Sequence, residues 1–223
     1  MDWSPLWISL RVAFCATLFS TLLGLPVGYA LAKRRVPGRA VWEGLILLPL
    51  VLPPTVLGYY LLTLLGQRSV PGRVLRSAGI EIVFTWQGAV VAACAVSLPL
   101  LARGAQAAFA AIESEYLEVA RTMGATEGQA FRYVLLPLAL PGVLAGMALA
   151  FARALGDFGT TLMVAGDIPG LTRTMPLAVY SAVNAGNDRA ALSFVLLLSA
   201  VCLCFSFFIS FVLARANRAS RDV

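Results

Sequence analysis

Five apolar runs free of charged side chains constrain this chain more than any other feature: residues 13–32, 44–66, 85–102, 133–152 and 190–214. Each is close to the roughly 20 residues that a helix needs to cross a bilayer. Inside hydrocarbon, every backbone N–H and C=O must be satisfied within the protein, so such runs imply helices. The first run is expected to begin earlier, near Leu6 with Arg11 at the interface, and the fourth to continue toward Phe158. The composition agrees: 60% of the 223 residues are hydrophobic, 13% are charged, and the mean hydropathy is +0.85. Soluble domains carry roughly a quarter charged residues. The expected fold class is all-α, a polytopic membrane protein with five transmembrane helices in a single domain over residues 1–223, its core at about 6–214.

The basic residues set an orientation. Lys33, Arg34, Arg35, Arg39, Arg121, Arg132, Arg215, Arg218 and Arg221 fall on one side, nine in all. Arg68, Arg73, Arg76, Arg173 and Arg189 fall on the other, five in all. Cytoplasmic loops carry the excess of Lys and Arg, so the N-terminus is expected outside and the C-terminus inside. A net charge of +6 in this placement orients the protein and gives no reason to expect nucleic acid. The start, MDWSPLWISLR, carries an acid in place of a basic leader and suggests no cleaved signal. The tail after Arg215 is too short for a regulatory domain. Cys15, Cys94, Cys202 and Cys204 all lie in apolar spans without metal-ligand spacing, and are expected to be buried small hydrophobes. The chain has no histidine, which removes the commonest acid–base catalyst.

The polar interval from Ser114 to Pro137 reads as two short helices around a glycine turn. Ser114 is expected to cap the first, with Glu115 and Glu118 near its positive end. Tyr116, Val119, Ala120 and Met123 recur at helical spacing and form an apolar stripe. Gly124 suits the left-handed turn that ends that helix. Thr126 and Gln129 have capping-box spacing, so a second helix starts at once. Pro137 fits the first turn of the following span. An apolar stripe on a polar hairpin at a membrane surface suits docking into a partner, or lying on the bilayer.

Glu118, Ala120, Gly124, Val134, Leu136 and Pro137 match the spacing E-x-A-x3-G-x9-I-x-L-P, with Val134 in place of Ile. In these residues the chain resembles importer-type ABC transporter permeases, which carry this EAA signature. The resemblance implies a type I ABC importer permease fold and makes residues 114–134 the cytoplasmic coupling helices that seat in an ATPase.

Two further blocks carry polar or breaking residues at membrane depth. The run LPLVLPPTVLGYYLL, residues 48–62, holds Pro49, Pro53, Pro54, Thr55 and Gly58. Prolines remove backbone donors, and broken helices often line transport routes; a kinked packing helix is the simpler alternative. After the fourth span, Arg153 and Asp157 are four apart and can meet on one helical face. Their expected role is a structural ion pair, with substrate contact as the alternative. Thr160 and Thr161 follow in a flexible, hydroxyl-rich segment. Together with Thr55 they are candidates for a weak, transient path. Residues 175–183 are apolar but too short to cross, and suggest a re-entrant or outward-facing helix. A sixth crossing there would place the terminal arginines outside. The loop 67–84 carries Arg68, Arg73 and Arg76 against Glu81, and reads as a solvated loop or as a contact surface for a binding protein or an anion.

These blocks together resemble the permease subunit of molybdate ABC importers, with sulfate/thiosulfate permeases as close relatives. The resemblance implies a homodimer in the bacterial inner membrane, surrounded by membrane lipid. It also implies a cytoplasmic ABC ATPase dimer, a periplasmic or lipid-anchored molybdate-binding protein, and a small oxyanion substrate such as molybdate or tungstate. No cofactor is expected in the permease itself. The chain lacks a G-x-x-x-x-G-K-[ST] loop, so ATP would be used by the partner. An integral-membrane enzyme would need convergent acids or histidines. An energy-independent channel or secondary transporter would need no docking hairpin.

Overall fold

The computed structural model describes residues 2–33 and 37–219. Arg34, Arg35 and Arg221, three of the nine orienting residues, lie outside them, as does the Arg218 side chain. Helix α1 (Ser4–Ala32) is the first span. The carboxylate of Asp2 accepts hydrogen bonds from the Ser4 N–H and hydroxyl, both at 2.9 Å, at its start. Donation from the Ser4 backbone, with that from its hydroxyl, holds the Asp2 carboxyl below its usual range.

The second run is two helices, α2 (Arg39–Val51) and α3 (Pro54–Leu65), meeting at 106°. This is far beyond a kink, and the break in the helix has a local cause. Leu52 precedes a proline and takes an extended ψ of 140°, and Pro53 follows at ψ 135°. Neither Pro53 nor Pro54 can donate back into α2, so the helix must end there.

Helix α4 (Val70–Ser77) occupies the expected loop, where Ser69 Oγ accepts from the Gly72 N–H at 2.9 Å. Phe84 sits at φ 60°, and its N–H donates to the Val164 carbonyl at 2.9 Å, pinning this loop to the interior. Helix α5 (Trp86–Ala110) runs past the expected end at Ala102, because Arg103 finds partners and does not stop the span. Helices α6 (Ser114–Thr122) and α7 (Glu127–Ala130) form the hairpin. A π-turn over Phe131–Leu135 then joins α7 to α8 (Leu136–Leu155) without a break. Pro137 has no N–H for the Tyr133 carbonyl, so the ladder slips: the Leu136 N–H reaches the Phe131 carbonyl instead.

Helices α9 (Gly159–Ala165), α10 (Met175–Asn184) and α11 (Asp188–Ala219) complete the chain. Among the described residues, four helices are long and apolar enough to cross a membrane, five if α2–α3 is one broken span. That matches the expected count. Helix α10 packs on α1 and α11 as a short helix, and its first N–H, at Met175, donates to the buried Ser9 hydroxyl at 2.7 Å.

The core lies where α1, α5 and α8 meet. Small residues allow it, as is usual when helices associate in lipid. A Cβ on Gly28 would stand 2.7 Å from both the Ala102 carbonyl oxygen and the Ala105 Cβ; one on Gly104 would stand 2.8 Å from the Gly146 Cα. Cys15 and Cys94 are half-buried there. Cys202 and Cys204, expected buried, are exposed, because α11 packs on α8 and α10 and leaves its remaining faces open.

Candidate functional site

The hairpin is held at its base by three aromatic rings from three elements. Tyr29 of α1 lies 5.3 Å from Phe109 of α5 and 4.7 Å from Phe131 of the π-turn, centroid to centroid. Leu117 of α6 packs beside them, and Ala120 of the same helix is buried. Helix α6 starts at Ser114 with Glu113 at the N-cap and no side-chain capping bond, one residue earlier than expected. Its C-terminus is closed as the sequence suggests. Gly124 has φ +84°, its N–H donates to the Arg121 carbonyl, and the Ala125 N–H donates to the Ala120 carbonyl. The Thr126–Gln129 capping box is complete, with the Thr126 N–H donating to Gln129 Oε1 at 2.8 Å. An ion pair between Arg121 and Glu127, 2.6 Å apart, ties α6 to α7.

What this frame presents is apolar. Met123 is 83% exposed, Tyr133 70%, Val119 58% and Tyr116 53%. With Glu115 and Val134 they line an open concavity of about 880 Å³. Three of the four stripe residues are therefore exposed, and Ala120, though buried, lines the same concavity. Of the remaining signature residues, Glu118 is exposed, Leu136 is half-buried and Pro137 opens α8. A rigid hairpin with an exposed apolar concavity can receive a protein partner.

The second cluster brings together the two breaking segments, although neither segment reveals the other in sequence. A Cβ on Gly58 of α3 would lie 2.6 Å from the Met163 Cβ and 3.2 Å from the Thr160 Cα of α9. One on Gly159 would lie 3.0 Å from the Pro54 Cβ. Pro53, Pro54 and Thr55 are exposed at the rim, whereas Thr160 and Thr161 are buried inside the protomer. Asp157 organises this interior. Its Oδ2 accepts from the Thr161 N–H at 2.9 Å and from the Thr161 hydroxyl at 2.8 Å, and its Oδ1 faces Arg153 Nη1 at 3.4 Å. The Asp157 side chain is 1% exposed and that of Arg153 28%. In this conformation only Thr55 of the three hydroxyls offers a surface to an ion.

Sequence reasoning missed two polar clusters. Arg173 pairs bidentately with Asp167, Nε–Oδ1 at 2.6 Å and Nη2–Oδ2 at 3.3 Å, and Ser181 donates to the same carboxylate. Glu43 of α2 meets Arg103 and Gln106 of α5. The available signals were the spacing of Arg39 and Glu43 and the arginine at the end of an otherwise apolar run.

With this geometry in view, residues 24–218 match the family described as binding-protein-dependent transport system inner membrane component. The chain belongs to that family. Among its relatives, the molybdenum transport system permease protein ModB of Escherichia coli K12 is 38% identical over 218 residues, covering 97% of this chain and 95% of that one. ModB of Mycobacterium tuberculosis is 42% identical over 216 residues, covering 90% and 81%. The sulfate transport system permease protein CysT of Salmonella typhimurium is 32% identical over 231 residues, covering 98% and 83%. Among solved structures, a chain of the inward-facing MetNI methionine ABC transporter superposes with a TM-score of 0.75 at 23% identity, covering 97% of each chain. This family member has the type I ABC importer permease fold.

Proposed function

We propose that this chain is the membrane-spanning permease subunit of an ABC importer that carries molybdate, with tungstate as its near analogue, across the bacterial inner membrane. A separate cytoplasmic ABC ATPase drives it, and an extracytoplasmic binding protein delivers the anion. The observation that carries the reading is the apolar concavity around Tyr116, Val119 and Met123, framed by the residues of the EAA spacing. Such a surface needs a partner, and an ATPase fits because the chain has no phosphate-binding loop of its own. ATP is then consumed by that partner, and this chain is neither an enzyme nor a cofactor carrier.

The substrate comes from the relatives: molybdenum permeases at 38% and 42% identity stand above the sulfate permease at 32%. Transport of sulfate or thiosulfate is the second reading, favoured by that last relative. The Lys/Arg bias supports an N-terminus outside, a C-terminus inside and a hairpin in the cytoplasm. A homodimer suits α2, none of whose residues is buried within the protomer. The anion path would then run between protomers, past Pro53, Pro54, Thr55 and Gly58, with Thr160, Thr161, Arg153 and Asp157 supporting it from behind.

The test is reconstitution with the candidate ATPase in proteoliposomes, with labelled molybdate and sulfate each supplied by its own binding protein. ATP-driven uptake of molybdate alone supports the reading, and uptake of sulfate alone moves the chain to the second.

A further inference from the structure

Helix α2 buries no residue in the protomer, yet its polar end is firmly tied. Glu43 Oε1 accepts from Arg39 Nε at 2.8 Å within α2 and from Gln106 Nε2 of α5 at 2.7 Å. Glu43 Oε2 faces Arg103 Nη1 at 3.6 Å, and that same Nη1 donates to Gln106 Oε1 at 3.1 Å. Gln106 is 5% exposed, so its amide is fixed on both sides. One carboxylate thus bridges two guanidiniums and a buried amide, across two helices.

The position of this bridge matters more than its strength. Arg103 and Gln106 lie in the last turns of α5, which ends at Ala110, and residues 111–113 connect directly to α6. Displacement of the hairpin therefore acts on the end of α5 as well as on α8, which it joins through the π-turn. Helix α2, on the other side of the bridge, leads into the 106° break and then into Pro53, Pro54 and Thr55. We propose that Glu43 is a positioning residue that makes α2 move with the hairpin end of α5, so that displacement of the hairpin is passed to the broken helix pair α2–α3. The inference rests on the reading of the hairpin as the ATPase-docking element, and it adds the route by which docking reaches the path.

The bridge is partly exposed, so losing it removes little folding stability; its effect is on coordination. Glu43→Gln retains the size of the side chain but loses the attraction to Arg39 and Arg103. In proteoliposomes with the ATPase and the loaded binding protein, this variant is expected to bind the ATPase and hydrolyse ATP as the parent does. Anion uptake per ATP falls at least threefold. A covalent replacement distinguishes coupling from mere damage. With Cys15, Cys94, Cys202 and Cys204 changed to Ala, Glu43→Cys and Gln106→Cys are joined by a short bifunctional thiol reagent. Before cross-linking the double variant is uncoupled, and after it uptake per ATP recovers.

Unchanged uptake per ATP in Glu43→Gln overturns the proposal. So does uptake per ATP that stays low after cross-linking, which would mean that tying α2 to α5 does not restore coupling. Failure of the parent chain to bind the ATPase would instead refute the reading of the hairpin beneath it.

Discussion

Arg153 Nη1 stands 3.4 Å from Asp157 Oδ1, while the other oxygen of that carboxylate takes both the N–H and the hydroxyl of Thr161. The carboxylate is buried and Arg153 is its one ion-pair partner among the described residues. Removing one member of such a pair leaves an uncompensated charge, at a cost of about 3–5 kcal/mol. Arg153→Ala is therefore expected to lower the detergent melting temperature sharply. Adding Asp157→Asn, which keeps an oxygen for the Thr161 N–H, should recover most of the loss. A double variant as unstable as the single one would show that Arg153 acts by itself.

The crossing of α3 and α9 is set by Gly58. Any side chain there meets the Met163 Cβ at 2.6 Å, and backbone must move to make room. Overpacking of this kind costs typically 1–3 kcal/mol. Gly58→Leu should reduce both thermal stability and uptake, with ATPase binding retained because the hairpin is remote from the crossing. Melting and pull-down on the same preparation check this.

Ser9 receives the first N–H of α10 from a buried position in α1, at 2.7 Å. Ser9→Ala strands that donor, with a penalty of about 1–3 kcal/mol. The expected result is faster hydrogen exchange at Met175 and the following amides, while the exchange of α6 stays as it was.

Much of this was legible in the sequence. The spans follow from charge-free length, and the Gly124 turn and Thr126–Gln129 box follow from local backbone chemistry that needs no tertiary partner. The broken second span was visible in Pro53 and Pro54, but its angle was not, since 106° depends on what α2 and α3 each pack against. The pairing of Gly58 with α9 was hidden for the same reason: a glycine announces close approach without naming the neighbour. The Tyr29–Phe109–Phe131 base of the hairpin was hidden because it joins three distant segments. Thr160 and Thr161 read as a polar path from sequence because hydroxyls at membrane depth suit ions; Asp157 occupies one of them and burial hides both.

The hairpin depends on its cap as well as its surface. Thr126→Ala removes the acceptor of the Gln129 N–H and costs about 1 kcal/mol. Because α7 continues into α8 through the π-turn, fraying should stay local. The variant should bind ATPase a few-fold more weakly at unchanged melting temperature. A decrease in melting temperature without weaker binding would contradict this.

The most direct test of the central claim is the affinity of the purified ATPase for the permease, with and without Met123→Asp. Met123 is 83% exposed and touches little of its own chain, so the substitution leaves the fold alone and places a charge in the concavity. A stable complex with the parent chain is expected, with at least tenfold weaker binding by the variant and ATP-driven uptake lost in parallel. Equal affinity for both would contradict the assignment of residues 114–134 as the surface through which ATP hydrolysis moves this protein.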